Sequence, residues 1–204
     1  MRTEGSSGHK TWPVIRKAGI KLLYKYGFHG MNLRRLAADS NLQAGSLYNY
    51  FNNKDEFLSI VVCDIMTELL DTLKESLEPL KEPEERLRKF VEIMVLWHTK
   101  RRMEAVVSQA EIRSLSKGQY RELTGMRKEF ELILRSIVDD GVNEGVFHID
   151  DSKITVIMIL NMLTSIASWY KPSGRLTVSE LVVQYIEVVF HILDHRSERL
   201  KGAD

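Results

Sequence analysis

One cysteine in 204 residues, Cys63, leaves no partner for an intrachain disulfide and fits a reducing cytoplasm. Its neighbours Val61 and Val62 make it a small hydrophobe of an apolar helix rather than a nucleophile. Four prolines and few alternating β-branched runs argue against a sheet and for an all-α fold. No stretch is expected to span a membrane, because the strongest apolar run, residues 154–163, is broken by Asn161. The opening MRTEGSSGHK lacks the apolar centre of a signal peptide and reads as a flexible arm carrying Arg2, His9 and Lys10. A Ser/His/Asp order, zinc-ligand spacing, a P-loop and a dinucleotide fingerprint are all missing, so no catalytic residue, cofactor or metal is expected. A His98–Cys63 pair has no supporting local sequence.

Charge is nearly balanced at +1, but it is not evenly spread. Residues 1–55 hold nine Lys and Arg against three acids, a net +6, and the remainder carries −5. A basic N-terminal module on an acidic body is the distribution expected if only the module meets a polyanion. Within it, NLRRLAADSNLQAGSLYNYFNNKD spells two short helices around a tight turn. Asn32 is placed to cap the first, whose apolar stripe is Leu33, Leu36 and Ala37. The turn falls at Ser40-Asn41-Leu42, with Asn41 suited to a left-handed conformation. In the second helix Leu47 and Phe51 face inward, which turns Gly45 and Asn49 outward between Ser46 and Tyr48. Gly inside a helix costs about 1 kcal/mol relative to Ala, but on an outer face it allows close approach of another surface. Ser, Asn and Tyr can bond to phosphates or base edges without a full charge, so the pattern reads as a helix laid in the DNA major groove.

GFHGMNLRRLAADSNLQAGSLYNYFNNKDEFL resembles the N-terminal signature of the TetR/AcrR family of transcriptional repressors. Gly27-Phe28, Leu36-Ala37, Gly45, Leu47-Tyr48, Phe51 and Lys54 match its pattern over roughly residues 12 to 60. The chain departs from it at Asn32 for Thr, Asn41 for the turn Gly, Gln43 for the capping Ser and Tyr50 for His. Gln43 is a poorer N-cap, which leaves the start of the recognition helix less fixed. The resemblance implies that Asn32, Tyr48, Tyr50 and Lys54 grip phosphates of a double-stranded operator. It implies that Gln43, Ala44, Ser46 and Asn49 lie nearest the bases, with Gly45 between them. It also implies a three-helix helix-turn-helix domain and a C-terminal helical domain for ligand and dimerisation.

About nine helices are expected, with a domain boundary between residues 53 and 54. The first spans about 12 to 26, with Val14, Ile15, Ala18, Leu22, Leu23 and Tyr26 inward. The fourth, from Asn53 to Leu77, is long enough to act as a lever between the domains. Pro83 with Glu84 and Glu85 opens the fifth, and the sixth and seventh cover roughly 103–115 and 117–143. The last two, near 154–170 and 176–193, are apolar beyond one face and need burial nearly all round. A two-fold homodimer whose helix pairs form a four-helix bundle supplies it, and burial within one chain is the alternative. The family resemblance implies the same dimer and a palindromic operator.

Trp97, His98, Arg113, Asn161, Ser165 and Trp169 are polar or aromatic groups in apolar surroundings and are candidates to line a small-molecule pocket. The segment 168–177, SWYKPSGRLT, with Gln184-Tyr185, resembles the linker of family members that regulate lipid and steroid catabolism and respond to acyl-CoA thioesters. That resemblance implies a small hydrophobic effector of acyl-CoA type. An activator of the same fold, or a helical interaction module that binds no DNA, are the competing readings. The module is set apart by weak salt dependence, since phosphate contacts make DNA binding steeply salt-sensitive.

Overall fold

The computed structural model describes residues 8–194, with side chains from Thr11 onward. The arm residue Arg2 and the side chains of His9 and Lys10 lie outside that range. Among the described residues there are eight α-helices: α1 (Gly8–Gly30), α2 (Leu33–Asp39), α3 (Lys54–Leu77), α4 (Pro83–Lys100), α5 (Arg102–Ala110), α6 (Lys117–Asn143), α7 (Ser152–Trp169) and α8 (Val178–Leu193). Two 3-10 segments, Ala44–Asn49 and Glu111–Ser114, complete an all-helical fold. The third expected helix is thus a 3-10 segment, and the sixth is an α-helix with a 3-10 extension.

The chain divides into two compact units, each drawn from two stretches of sequence. The first unit contains residues 1–67 together with 103–124, and the second contains 68–102 and 125–204. Long helices α3 and α6 each contribute to both. The extra segment joins the first unit through specific bonds: Arg16 Nη1 donates to Glu104 Oε1 at 3.2 Å, and Phe28 N–H donates to Glu111 Oε1 at 3.0 Å. Such pairings cross more than eighty residues and leave no periodic trace in the sequence.

In the first unit, Ile15, Leu22, Leu23, Leu36, Leu47, Phe51, Phe57, Leu58 and Val61 form the core. Helix α1 buries Ala18, Gly19 and Ile20 as well, whereas Val14 and Tyr26, expected inward, are exposed. The reason is Gly19, which lets the Phe57 ring sit directly on the α1 backbone and draws that face inward. Helix α3 begins as expected, with Asn53 Oδ1 accepting the Glu56 N–H at 2.8 Å.

In the second unit α4 is central and packs on α7 and α8. Pro83 opens it without a wasted donor, and Glu84 and Glu85 stand in its first turn, where the helix dipole favours acids. Leu87, Phe90, Val91, Met94 and Val95 meet Val156, Ile159, Leu163 and Ile166 of α7 and Leu181 and Val189 of α8 in the core. Asp151 caps α7 through the Ile154 N–H, and Thr177 with Glu180 forms a capping box on α8.

Helix α7 is, over 18 residues, long and apolar enough to cross a membrane, against the expectation from Asn161. Uncharged Asn, Ser and Thr do not lower its mean hydropathy enough, and Lys153 is its one charged residue. Only 28% of those residues are buried within the chain. The opposite side of α7 and α8 carries exposed Ile154, Met158, Val183 and Val188.

Candidate nucleic-acid interface

Asn32 adopts extended backbone and its Oδ1 accepts the Arg34 N–H at 2.8 Å, which starts α2 as its short polar side chain predicts. Just beyond the Ser40 C-cap of α2, Asn41 has a φ of 55°, the left-handed region that Asn tolerates. The Leu42 N–H then reaches Ala37 O at 2.9 Å and the Asn41 N–H reaches Ala38 O at 3.0 Å. This pair of bonds satisfies the last carbonyls of α2 and turns the chain sharply.

Gln43 precedes the next segment in extended backbone with no side-chain capping bond, in line with its poor capping chemistry. Ala44–Asn49 winds as a 3-10 helix, with Ser46 N–H on Gln43 O and Tyr50 N–H on Leu47 O, both at 2.9 Å. Six residues with a Gly and no side-chain cap are too few to hold an isolated α-helix, and the tighter winding satisfies donors sooner. Leu47 and Phe51 anchor it inward. Gln43, Ala44, Gly45, Tyr48 and Asn49 are exposed and Ser46 is half-buried. A Cβ added to Gly45 meets nothing within 4 Å, so the backbone is open to another surface there.

Besides Asn32, which caps α2, two more of the expected phosphate-gripping residues are engaged within the protein. The Tyr50 ring stacks on Trp12, with centroids 6.3 Å apart and planes at 20°, and Trp12 Nε1 donates to Asp64 Oδ2 at 3.2 Å. Lys54 Nζ donates to His29 O at 3.2 Å and lies 4.5 Å above the Phe28 ring. Positive charge is also less free than the sequence count suggests. Arg16 faces Asp64 and Glu104, and Arg35 is 3.8 Å from Asp39. Lys17, Lys21, Lys25 and Arg34 are exposed.

The six ligand candidates fall in different settings within their own units. Trp97 is buried with the Arg101 guanidinium 4.0 Å from its ring centroid, and Arg101 pairs with Glu68. His98 is 4% exposed, and its Nδ1 lies 2.7 Å from Met94 O, so that nitrogen carries the proton. Asn161, Ser165 and Trp169 fall on the exposed stripe of α7 with Ile154 and Met158. Asn161 Nδ2 donates to Ile157 O at 2.9 Å and Ser165 Oγ to Met162 O at 2.8 Å, each within its own helix. Arg113 is exposed and belongs to the first unit. Cys63 is half-buried, and burial followed by the nearby Glu122 charge raises its thiol pKa, which keeps it protonated and unreactive.

Burial lowers the His98 pKa, and the Met94 carbonyl opposes this only in part. In the folded protein His98 therefore stays neutral at a pH where the unfolded chain, with an ordinary value of about 6.5, binds a proton. Its contribution to stability is complete above that pH and is lost as pH falls toward the depressed folded value. His98→Gln is expected to flatten the decline of the melting midpoint between pH 7.5 and 5.5. Equal slopes in the two proteins would assign the acid sensitivity to other groups.

A capped α2, a left-handed turn and a short recognition segment anchored by Leu47 and Phe51 define a helix-turn-helix. The model of the bacterial regulatory proteins of the tetR family matches residues 15–60, and the tetracyclin repressor-like C-terminal domain matches 80–193. The chain belongs to the tetR family of bacterial regulatory proteins and is a transcription regulator, not an enzyme. It is 21% identical over 189 residues to the HTH-type transcriptional repressor KstR2 of Rhodococcus jostii, spanning 92% of each chain. Among solved structures, a tetR-family regulatory protein from Rhodococcus RHA1 superposes with a TM-score of 0.85 at 22% identity, covering 94% of this chain and 100% of that one. AibR, solved in complex with isovaleryl coenzyme A and operator DNA, superposes with a TM-score of 0.78 at 22% identity, covering 88% and 98%.

Proposed function

We propose that the chain is a repressor acting in the cytoplasm, which binds a palindromic operator as a homodimer and leaves it when a small hydrophobic effector binds. The observation that carries the DNA half is the exposed, uncharged face of Gln43, Ala44, Gly45, Tyr48 and Asn49 on a helix-turn-helix. Its similarity to the repressor KstR2 supports repression, and its likeness to AibR, solved with isovaleryl coenzyme A, supports an acyl-CoA effector. The exposed apolar stripe of α7 and α8 supports dimerisation through those helices. An open groove of about 640 Å³ on this face, lined by Ile149, Ile154, Met158, Val188 and Ile192 among others, suits a helix of a second copy. The effector acts by binding better to the arrangement whose recognition segments are wrongly spaced, and its leverage is limited to that difference in affinity.

The test is fluorescence anisotropy on a duplex selected by the protein from a random-sequence pool, with and without isovaleryl-CoA and longer acyl-CoA thioesters. Salt-sensitive binding relieved by one thioester is the expected result. Binding untouched by all of them removes the acyl-CoA effector, and failure to select any sequence removes the DNA reading. On the same duplex, Tyr48→Ala should lower affinity by roughly 2- to 10-fold whatever the sequence, as loss of one neutral hydrogen bond implies. Asn49→Ala should instead relax the choice of base at one position by about 1–3 kcal/mol. A uniform loss from Asn49→Ala would move that side chain from the bases to the backbone.

A further inference from the structure

We infer that Glu111 is a positioning residue for DNA recognition, acting through the backbone of Phe28 to fix the angle at which the helix-turn-helix leaves α1. The inference rests on the DNA-binding reading above. Helix α1 is interrupted at Gly27, whose φ of 66° and ψ of 174° lie outside helical space and in a region that favours glycine. The next residue donates its N–H to Glu111 Oε1 at 3.0 Å across 83 positions of sequence. Glu111 is 9% exposed, and its other oxygen accepts the Ser114 hydroxyl at 3.1 Å. The carboxylate is thus held from behind and aimed at one backbone donor.

The DNA-reading elements are mounted directly beyond the kink. The Met31 N–H closes onto Gly27 O at 3.0 Å and Phe28 O at 3.2 Å, and Asn32 then caps α2. Lys54, at the start of α3, grips the same turn from another element through His29 O and the Phe28 ring. Residues 27–29 are therefore clamped by a carboxylate from the segment after α5 and an ammonium from α3, all within the first unit. A hydrogen bond to a charged acceptor is shorter and stronger than a neutral one, and it is most effective where water is excluded. Glu111 bonds to a backbone donor beside a kink, so its removal frees the direction of α2 and leaves the Leu36, Leu47 and Phe51 core in place.

The test compares Glu111→Ala, Glu111→Gln and Ser114→Ala on the duplex selected by the unmodified protein and on an unrelated duplex of equal length. Glu111→Ala is expected to lose at least tenfold in affinity for the selected duplex and little for the unrelated one, because sequence-independent attraction survives misalignment. Glu111→Gln, which retains an oxygen for the Phe28 N–H, is expected to recover most of that loss. Faster amide exchange at Phe28 should accompany the alanine variant alone. Unchanged affinity of Glu111→Ala for the selected duplex, or an equal loss from Glu111→Gln, would overturn the assignment. If Glu111→Ala does not fold, Ser114→Ala decides: a smaller loss confined to the selected duplex supports the role, and none removes it. Failure of the unmodified protein to select any duplex would sink the DNA-binding reading itself, a different outcome from each of these.

Discussion

Met158→Glu is expected to turn the protein into a monomer that still folds. Met158 is 57% exposed on α7, beside Ile154 and across the groove from Val188 on α8. Because it touches solvent in the single chain, a carboxylate there removes little from the core, and far-ultraviolet dichroism should not change. In a two-fold assembly the same substitution enters twice and puts two new charges into one apolar contact. The groove already carries Asp150, Asp151 and Glu187, so the added carboxylate meets like charge as well as a desolvation penalty. Light scattering should then report half the mass of the unmodified protein. Operator affinity should fall by about 10²- to 10⁴-fold, the gain that linking two half-site contacts provides. Weak, salt-dependent attachment of single modules should persist. A full-mass Met158→Glu protein would move the interface away from the α7–α8 face.

Local chemistry made the DNA-reading module legible in the sequence. Asn32 and Asn41 occupy positions whose backbone demands can be stated from a few residues, and both adopt the expected conformations. Leu47 and Phe51 point inward because a four-residue spacing leaves little choice. The winding of residues 44–49 was less legible, since short segments lie where α and 3-10 geometry differ by one hydrogen bond. Periodicity also showed that α7 had two apolar faces, but only the position of α4 decides which is outside. Asn161, Ser165 and Trp169 therefore read as pocket lining when they share the exposed stripe with Met158. Glu111 carried no signal at all, because its meaning depends on a partner 83 residues away. Gly19 is a further case: a helical wheel assigns a glycine no weight, yet it sets which side of α1 is buried.

Gly19→Ala should be among the most damaging single-methyl changes in the chain. Replacing Gly by Ala in an exposed helix interior stabilises by about 1 kcal/mol. At Gly19 the added Cβ would stand 2.1 Å from Phe57 Cζ and 2.8 Å from Cε1, so the ring has to move. Phe57 is fully buried, with Phe51 at a centroid distance of 4.9 Å and Trp12 at 6.2 Å. Trp12 is itself fixed by its bond to Asp64 and its stack on Tyr50, so displacement is passed to the edge of the recognition segment. Overpacking of this kind costs about 1–3 kcal/mol, occasionally more, which outweighs the gain in helix propensity. The difference, a net loss of up to about 2 kcal/mol, would lower the melting midpoint by up to roughly 8 °C for a chain of this size. Gly45→Ala is the matched comparison, since open space surrounds Gly45. There the same methyl should leave the midpoint level or raise it, while operator affinity falls because the backbone is held farther from the groove. Opposite signs on the two midpoints are the expected result. A raised midpoint for Gly19→Ala would mean that Phe57 has room to yield, and that the ring contact does not set which face of α1 is buried.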